Sequence, residues 1–562
     1  MVSDTDHDSV AGSDGWRPLN RRQLVQRVAT AGASVIGARP AGARAASLAR
    51  PNTMVAAQQA SKAGGTLREG YDRDFSTLDP LTASCCEPAM SALYESLLTM
   101  SSDGDPEPQL AERWEVDDDA RTLTLTLRDD ARFDTGRPLD AMAVKESIEA
   151  LIDPATGSSM FTVIDRVDAA DLQTLVLTLK HPSYALLNLL SSGAAAIANQ
   201  ATRSEFGEQY GREVVDGTGP FTFEEWVPGG HLSVRRWEGY PGSIVPSMQN
   251  KRKAYLDRIR WETISDPAQR VIRIENGEID TLIGPSPRDV ARLQANPGLN
   301  VIIFNEPSGY LFGLNFERTD LGFHDVRMRQ AISAAIDRVA LVQTLLFGQG
   351  EPLHGPVSSA DPTYSSEVER FNTFRLEAAR RSIAELGWTA GADGIMEQEG
   401  RRLAFRLATV DEPFLRAIGA SLQEQVRKIG IDLSLQPVDR ETFLTTVEAG
   451  ADSYLHYSQS PLPIDAMVSH VDAVPSSSGN RAGATVPAVD DAVSAWRQAA
   501  NRDDLIDAGK RIGLAVAEQL PVIPLINRKA IWVHRTNVHG WAPDRFTMTP
   551  RYSDVWLDNG TT

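Results

Sequence analysis

Short motifs follow one another in a set order from Leu78 to Leu525, and that order constrains the fold more than any single motif does. LDP stands at residues 78–80, YESLL starts at Tyr94, and PQLAERWEVDDDARTLTLTLRDDARFDTGRPLDA starts at Pro108. TGPF follows at 218–221 and NGEID at 276–280. LNFER begins at Leu314, VRMRQAISAAIDR at Val326 and ELGWTAGADGI at Glu385. KIGIDLSL from Lys428 and QLPVIPL from Gln519 close the series.

Periodicity sets secondary structure between these points. Residues 65–70 read as a first strand. The spacing of Leu93, Leu97 and Leu98 predicts a helix over 89–99. Strict alternation predicts strands at 123–127 and 172–179, and Val144, Ile148 and Leu151 mark a helix over 141–151. Gly217-Thr218-Gly219-Pro220 pairs a permissive backbone with a fixed φ, which suits a sharp reversal before a strand. Residues 221–226 and 231–236 read as a hairpin around Pro228-Gly229-Gly230. One helix is expected over 326–341, with Arg327, Arg329 and Arg338 as solvated charges near Asp325 and Asp337. A further helix covers 377–386 and stops at Gly387, and 391–394 is a tight turn without the spacing of a calcium loop. Irregular alternation of helix and strand predicts mixed α/β lobes.

A chain of 562 residues, 42% hydrophobic, is long enough for two or three domains with real cores. With 75 acidic against 56 basic residues and a net charge of -19, it is a poor partner for nucleic acid or anionic lipid. Residues 1–50 read as a leader. Arg21 and Arg22 precede a weakly apolar run at 28–38 and an A-x-A cleavage site at Ala43-Arg44-Ala45, the order of a twin-arginine export signal. Residues 51–63 read as a linker. The two cysteines, Cys85 and Cys86, are adjacent and do not follow the signal, so a soluble periplasmic protein is expected rather than a lipid-anchored one. They are either two reduced thiols or a strained vicinal disulfide. H-E-x-x-H, the P-loop, G-x-S-x-G and S-x-x-K are all missing, and nine scattered histidines show no metal-ligand spacing. No catalytic residue, metal or cofactor is expected.

The ordered motifs resemble those of the extracytoplasmic solute-binding proteins of ABC importers, in the dipeptide/oligopeptide-binding family (family 5). The likeness covers nearly everything after residue 64. It implies an α/β, periplasmic-binding-protein-like fold of two lobes joined by a hinge, with an extra domain in the first lobe. Lobe one would hold 64–98, 222–309 and 527–562, the extra domain 99–221, and lobe two 310–526. The crossovers would lie at 309–316 and 521–527. The resemblance also implies a monomer that captures a peptide or other small solute and delivers it to membrane permease subunits. Oligosaccharides and opine-type conjugates are rival ligands, and nickel chelates are less favoured. An exported hydrolase is the rival of another class.

The same resemblance places the ligand at four segments. The loop after the first strand contributes Ser84, Cys85, Cys86 and Glu87, and the entry to lobe two contributes Tyr310. A loop at 456–465 contributes His456, Tyr457, Gln459 and Asp465, and the second crossover contributes Asn527 and Arg528. Peptide-binding relatives carry an acidic residue near the position of Gln459, where it pairs with the peptide amino terminus. A neutral amide gains much less from a buried ammonium. The third loop therefore departs from the family pattern, unless Asp465 substitutes.

The leader makes one prediction. Replacing Arg21 and Arg22 together by Lys leaves unprocessed precursor in the cytoplasm, read by fractionation and N-terminal sequencing. Undiminished periplasmic accumulation would overturn the twin-arginine reading.

Overall fold

The computed structural model describes residues 62–83, 87–153, 161–306, 308–459, 485–544 and 548–558. The leader, Ser84, Cys85, Cys86 and Asp465 lie outside them.

The strands that matter here are β1 (Thr66–Tyr71), β2 (Ala111–Val116), β3 (Thr122–Leu127), β4 (Ile164–Ala169) and β5 (Thr174–Leu179). Then come β6 (Phe221–Val227), β7 (His231–Arg236), β8 (Arg258–Thr263), β9 (Thr281–Ile283), β10 (Leu299–Asn305), β11 (Ser308–Leu314) and β12 (Gly350–Pro352). Last are β13 (Ala404–Val410), β14 (Asp432–Val438), β15 (Ser453–Gln459) and β16 (Val522–Arg535). The helices named below are α1 (Pro88–Leu93), α2 (Ala141–Ile152), α3 (Val326–Ala334), α4 (Arg338–Leu345) and α5 (Arg502–Gln519).

A 12-stranded sheet runs β14-β13-β15-β11-β16-β9-β1-β8-β7-β6, with β10 and β12 also paired to β16. A separate four-stranded sheet, β2-β3-β5-β4, carries α2. Alternation explains β3 and β5: Leu123, Leu125, Leu127, Leu175 and Leu177 all face inward. Asp140 caps α2 by accepting from the Ala143 amide at 2.9 Å. The strand expected at 172–179 begins only at Thr174, because the Asp171 carboxylate accepts from the Gln173 and Thr174 amides and holds a turn.

The apolar side chains sort into separate cores. One gathers Leu67, Phe75, Leu93, Trp261, Trp532, Trp541 and Tyr552. A second is drawn largely from residues 97–197 and includes Leu97, Leu98, Val144 and Leu175. A third packs Tyr310, Phe312, Ile332, Leu407, Leu422, Ile523 and Leu525. The first two cores explain why the helix expected over 89–99 stops at Leu93. Tyr94 is extended, at φ -129° and ψ 154°, and its hydroxyl donates to the Leu78 carbonyl at 2.8 Å. Leu93 thus serves one core while Leu97 and Leu98 serve another. A spacing that imitates a helical stripe is shared between two cores.

The helix expected over 326–341 is two helices. Asp325 caps α3 and Asp337 caps α4, accepting from the Arg327 and Ala340 amides at 2.8 and 2.9 Å. Arg327 stays on the surface beside Asp325 at 2.6 Å. Arg329 and Arg338 are buried instead of solvated. Arg329 donates to the carbonyls of Phe323, Gln519 and Leu520 at 2.7, 2.7 and 3.0 Å. Arg338 donates to the carbonyls of Pro524 and Asn372, each at 2.8 Å. Orphan carbonyls at the end of α5 and along β16 attract these guanidinium groups inward, because each buried acceptor needs a donor.

Strand β16 joins the cores. Its first residues pair antiparallel with β11, Asn527 and Arg528 pair with β12, and Lys529 to Arg535 pair with β10. The expected crossover at 521–527 is therefore the front part of one 14-residue strand. In the first core, Glu69 on β1 is buried. It accepts from Trp261 Nε1 and the Tyr552 hydroxyl at 2.9 Å, from the Thr281 hydroxyl at 3.0 Å and from Trp541 Nε1 at 3.1 Å. Burial raises its pKa, and these four donors oppose the rise.

A cavity of about 100 Å³ opens beside that core, lined among others by Glu87, Glu95, Tyr240, Arg551 and Tyr552. Burial pushes Glu95 from 4.5 up to about 7, against a 2.7 Å bond from the Tyr240 hydroxyl and the attraction of Arg128. The folded chain then binds an extra proton between those values. The stability this contributes is present below the unfolded pKa and is lost as pH rises through about 7. Glu95→Gln removes the penalty, so it raises stability at about pH 8 by about 2–3 kcal/mol, with little gain at about pH 5. Thermal melts at the two pH values check this; an equal effect at both would overturn it.

Candidate functional site

The segment SYLHYSQ alternates, and the structure makes it strand β15. Residues 456–459 are thus strand rather than the loop expected from sequence. They are hydrogen-bonded to β11, with Tyr457 opposite Tyr310, His456 opposite Leu311 and Gln459 opposite Ser308. Gly313 allows this pairing: a Cβ there would stand 2.1 Å from the Tyr454 ring. Period-two geometry puts Tyr457 on one face and His456 on the other.

On the Tyr457 face an aromatic stack forms. The Tyr310 and Tyr457 rings lie 4.6 Å apart at 29°, and Phe414 meets Tyr310 edge-on at 5.2 Å. The Arg528 guanidinium lies over the Tyr457 ring, 4.9 Å from its centroid. Glu306, in the short link between β10 and β11, completes the group. Its Oε2 accepts from the Tyr457 hydroxyl at 2.5 Å and stands 3.6 Å from Arg528 Nε. Its carbonyl accepts from Asn527 Nδ2 at 2.8 Å and from the Ser358 hydroxyl at 2.7 Å. The Glu306 side chain is only 8% exposed, whereas Arg528 is 42% exposed. Burial pushes the Tyr457 phenol well above its ordinary value, so it is a proton donor at neutral pH. Tyr457, then Tyr310 and Glu306, raise the Arg528 pKa against the cost of burial; at neutral pH, where both phenols are protonated, the Glu306 carboxylate is the anion that faces the guanidinium.

Beside this group Asn305 Nδ2 donates to Glu351 Oε2 at 3.2 Å and to the Ser359 hydroxyl at 2.9 Å. β10 and β12, each laddered to β16, are thereby also tied to one another by side chains.

Among the residues expected at the site, Tyr310, Tyr457, Asn527 and Arg528 come together. Asn527 is fully buried and links the crossing strands. His456 is half-buried on the opposite face. Glu87 stands apart: it accepts from the Tyr71 hydroxyl, pairs with Arg73 at 3.5 Å and lines the cavity near Glu95. Gln459 ends β15 through its pairing with Ser308. Glu306 escaped the sequence reading. Its only signal is a single acid between two strand-like runs, LNVIIFN and SGYLFGL.

The group offers a stacked guanidinium and hydrogen-bonding hydroxyls, which bind planar polar groups. Among the described residues no set of three or more His, Cys, Asp or Glu side chains is placed to hold a metal ion. No described helix is long and apolar enough to cross a membrane.

Comparison with known proteins agrees with this architecture. Residues 105–467 match the model for bacterial extracellular solute-binding proteins, family 5. The glutathione-binding protein GsiB of Escherichia coli K12 is 27% identical over 325 residues, 57% of this chain and 60% of the relative. The chain thus aligns with about 60% of the length of that curated relative. NikA from Brucella suis, solved with Fe(III)-EDTA, superposes with a TM-score of 0.76 at 24% identity, covering 88% of this chain and 100% of that one. The oligopeptide-binding protein AppA from Bacillus subtilis, solved with a nonapeptide, gives 0.74 at 20% identity, with 88% and 99% covered. The chain belongs to family 5 of the bacterial extracellular solute-binding proteins and has their periplasmic-binding-protein-like α/β fold.

The Tyr457–Glu306 bond makes a prediction. Tyr457→Phe keeps the ring stack but removes the donor from a buried carboxylate, and costs about 1–3 kcal/mol in urea unfolding. A change within about 0.3 kcal/mol would show that this bond is dispensable.

Proposed function

We propose that this chain is the substrate-binding component of an ABC importer, capturing a peptide or peptide-like solute between two lobes and delivering it to a permease. The observation that carries this reading is the position of the Arg528–Tyr457–Tyr310 stack. It sits where β16 and the link from β10 to β11 pass between separate cores, so a solute bound there touches the connection about which the cores move. Lobe one is assigned 64–98, 222–309 and 527–562, the extra domain 99–221, and lobe two 310–526. Family membership supports the transport role, and the relative named for glutathione supports a small peptide-like ligand, since glutathione is a tripeptide.

Tyr310, Tyr457 and Arg528 are assigned to the ligand, with Gln459 at the neighbouring strand end. Gln459 stands near the usual acidic anchor, so a free α-amino group is not the main determinant of binding. Export through the twin-arginine leader places the mature protein in the periplasm.

Binding is expected to shift an open–closed equilibrium. At about a hundredfold excess over Kd, ligand adds about 2.7 kcal/mol of stability by mass action. Native mass spectrometry of the purified protein identifies a co-purified solute. Adding that solute back to stripped protein raises the melting temperature and lowers the radius of gyration in X-ray scattering. Conversion of the solute into a product, or binding with no change in either quantity, would overturn the reading.

A further inference from the structure

We infer that Arg528 is a specificity-determining residue for a ligand that carries a carboxylate, with Glu306 and Tyr457 as positioning residues that hold its guanidinium. The inference rests on the solute-binding reading above and names a chemical class for that site.

Two buried arginines in this chain show what Arg528 is not. Arg329 and Arg338 are buried, and backbone carbonyls accept from their nitrogens at hydrogen-bond distance. They are structural. Arg528 keeps 42% of its side chain exposed. Its ion-pair contact among the described residues is with Glu306, through Nε at 3.6 Å, longer than a hydrogen bond. The same Glu306 oxygen accepts the Tyr457 hydroxyl at 2.5 Å. The acid therefore attracts the guanidinium without claiming its fork, the pair of terminal nitrogens whose spacing matches a carboxylate.

The stack fixes the orientation. Tyr457 is held from below by Tyr310 at 4.6 Å and at its hydroxyl by Glu306, and Arg528 lies on its ring. A flexible side chain is thereby confined before any ligand arrives, which reduces the entropy lost on binding. The backbone of Arg528 is paired with Gly350, so the anchor is rigid as well. Lysine would supply the charge but neither the planar stack nor the fork.

The test offers stripped full-length protein a mixture of tripeptides as free acids and as C-terminal amides, and measures the retained ratio by native mass spectrometry. Wild type retains acid over amide by about tenfold or more. Arg528→Lys and Arg528→Ala bring the ratio close to one, with thermal melts confirming folding; if the alanine variant does not fold, the lysine variant decides. Glu306→Gln still accepts from Tyr457 and keeps or raises the ratio, while Glu306→Ala lowers it. Equal retention of acids and amides by wild type, or an unchanged ratio in the folded Arg528 variants, overturns this inference and leaves peptide capture standing. Retention of neither set by wild type overturns both.

Discussion

Strand β16 has to stay fully hydrogen-bonded while it passes from one apolar core to another. An extended segment buried among cores cannot leave its N–H and C=O groups unpaired. The chain meets this by changing partners along the strand, from β11 to β12 to β10 and β9. Where the ladder alone does not suffice, side chains supply donors. Arg338 reaches the Pro524 carbonyl, and Arg329 reaches the carbonyls just before the strand begins. The relay of partners brings Glu306, Asn527 and Arg528 into one place, because the link between β10 and β11 must lie beside the middle of β16.

Much of the fold is legible in local periodicity. The strands around Leu123–Leu127 and Leu175–Leu177, the hairpin of β6 and β7, and helix α2 follow from alternation, spacing and caps within a few residues. The departures share one physical cause: a local pattern does not say which core a side chain serves. Leu93 and Leu97 fit one helical face yet enter different cores. Arg329 and Arg338 look like surface charges until carbonyls far along the chain are brought to them. Tyr310, Tyr457 and Arg528 were legible only through the family motifs. Glu306 was not, because what distinguishes it is a neighbour 151 residues away rather than any local repeat.

Buried charges fall into two sets: Arg128, Asp280 and Asp544 pair with an opposite charge, and others take neutral partners. Glu69 is satisfied by two indoles and two hydroxyls, Glu95 receives a hydroxyl bond, and Arg329 and Arg338 are satisfied largely by carbonyls. Neutral partners spare the molecule the desolvation of a second ion, at the cost of raised carboxylate pKa values. Arg528, loosely paired and partly open to water, differs from both sets.

The bonds around Glu69 also govern the order in which the chain can assemble. The donor from Tyr552 lies 483 residues further along, and Trp541 and β16 are almost as distant. A nascent chain made only as far as α5 can pair β1 with β8 and β9, but it leaves β9 without β16 and a buried carboxylate without two of its donors. The core that starts first in the sequence is therefore completed last. Contacts of such sequence separation slow folding and leave apolar strands uncovered in the meantime. The N-terminal core is thus completed only once Trp541 and Tyr552 have been made, whereas the cluster drawn largely from residues 97–197 contains its own partners and can form while the chain is still growing.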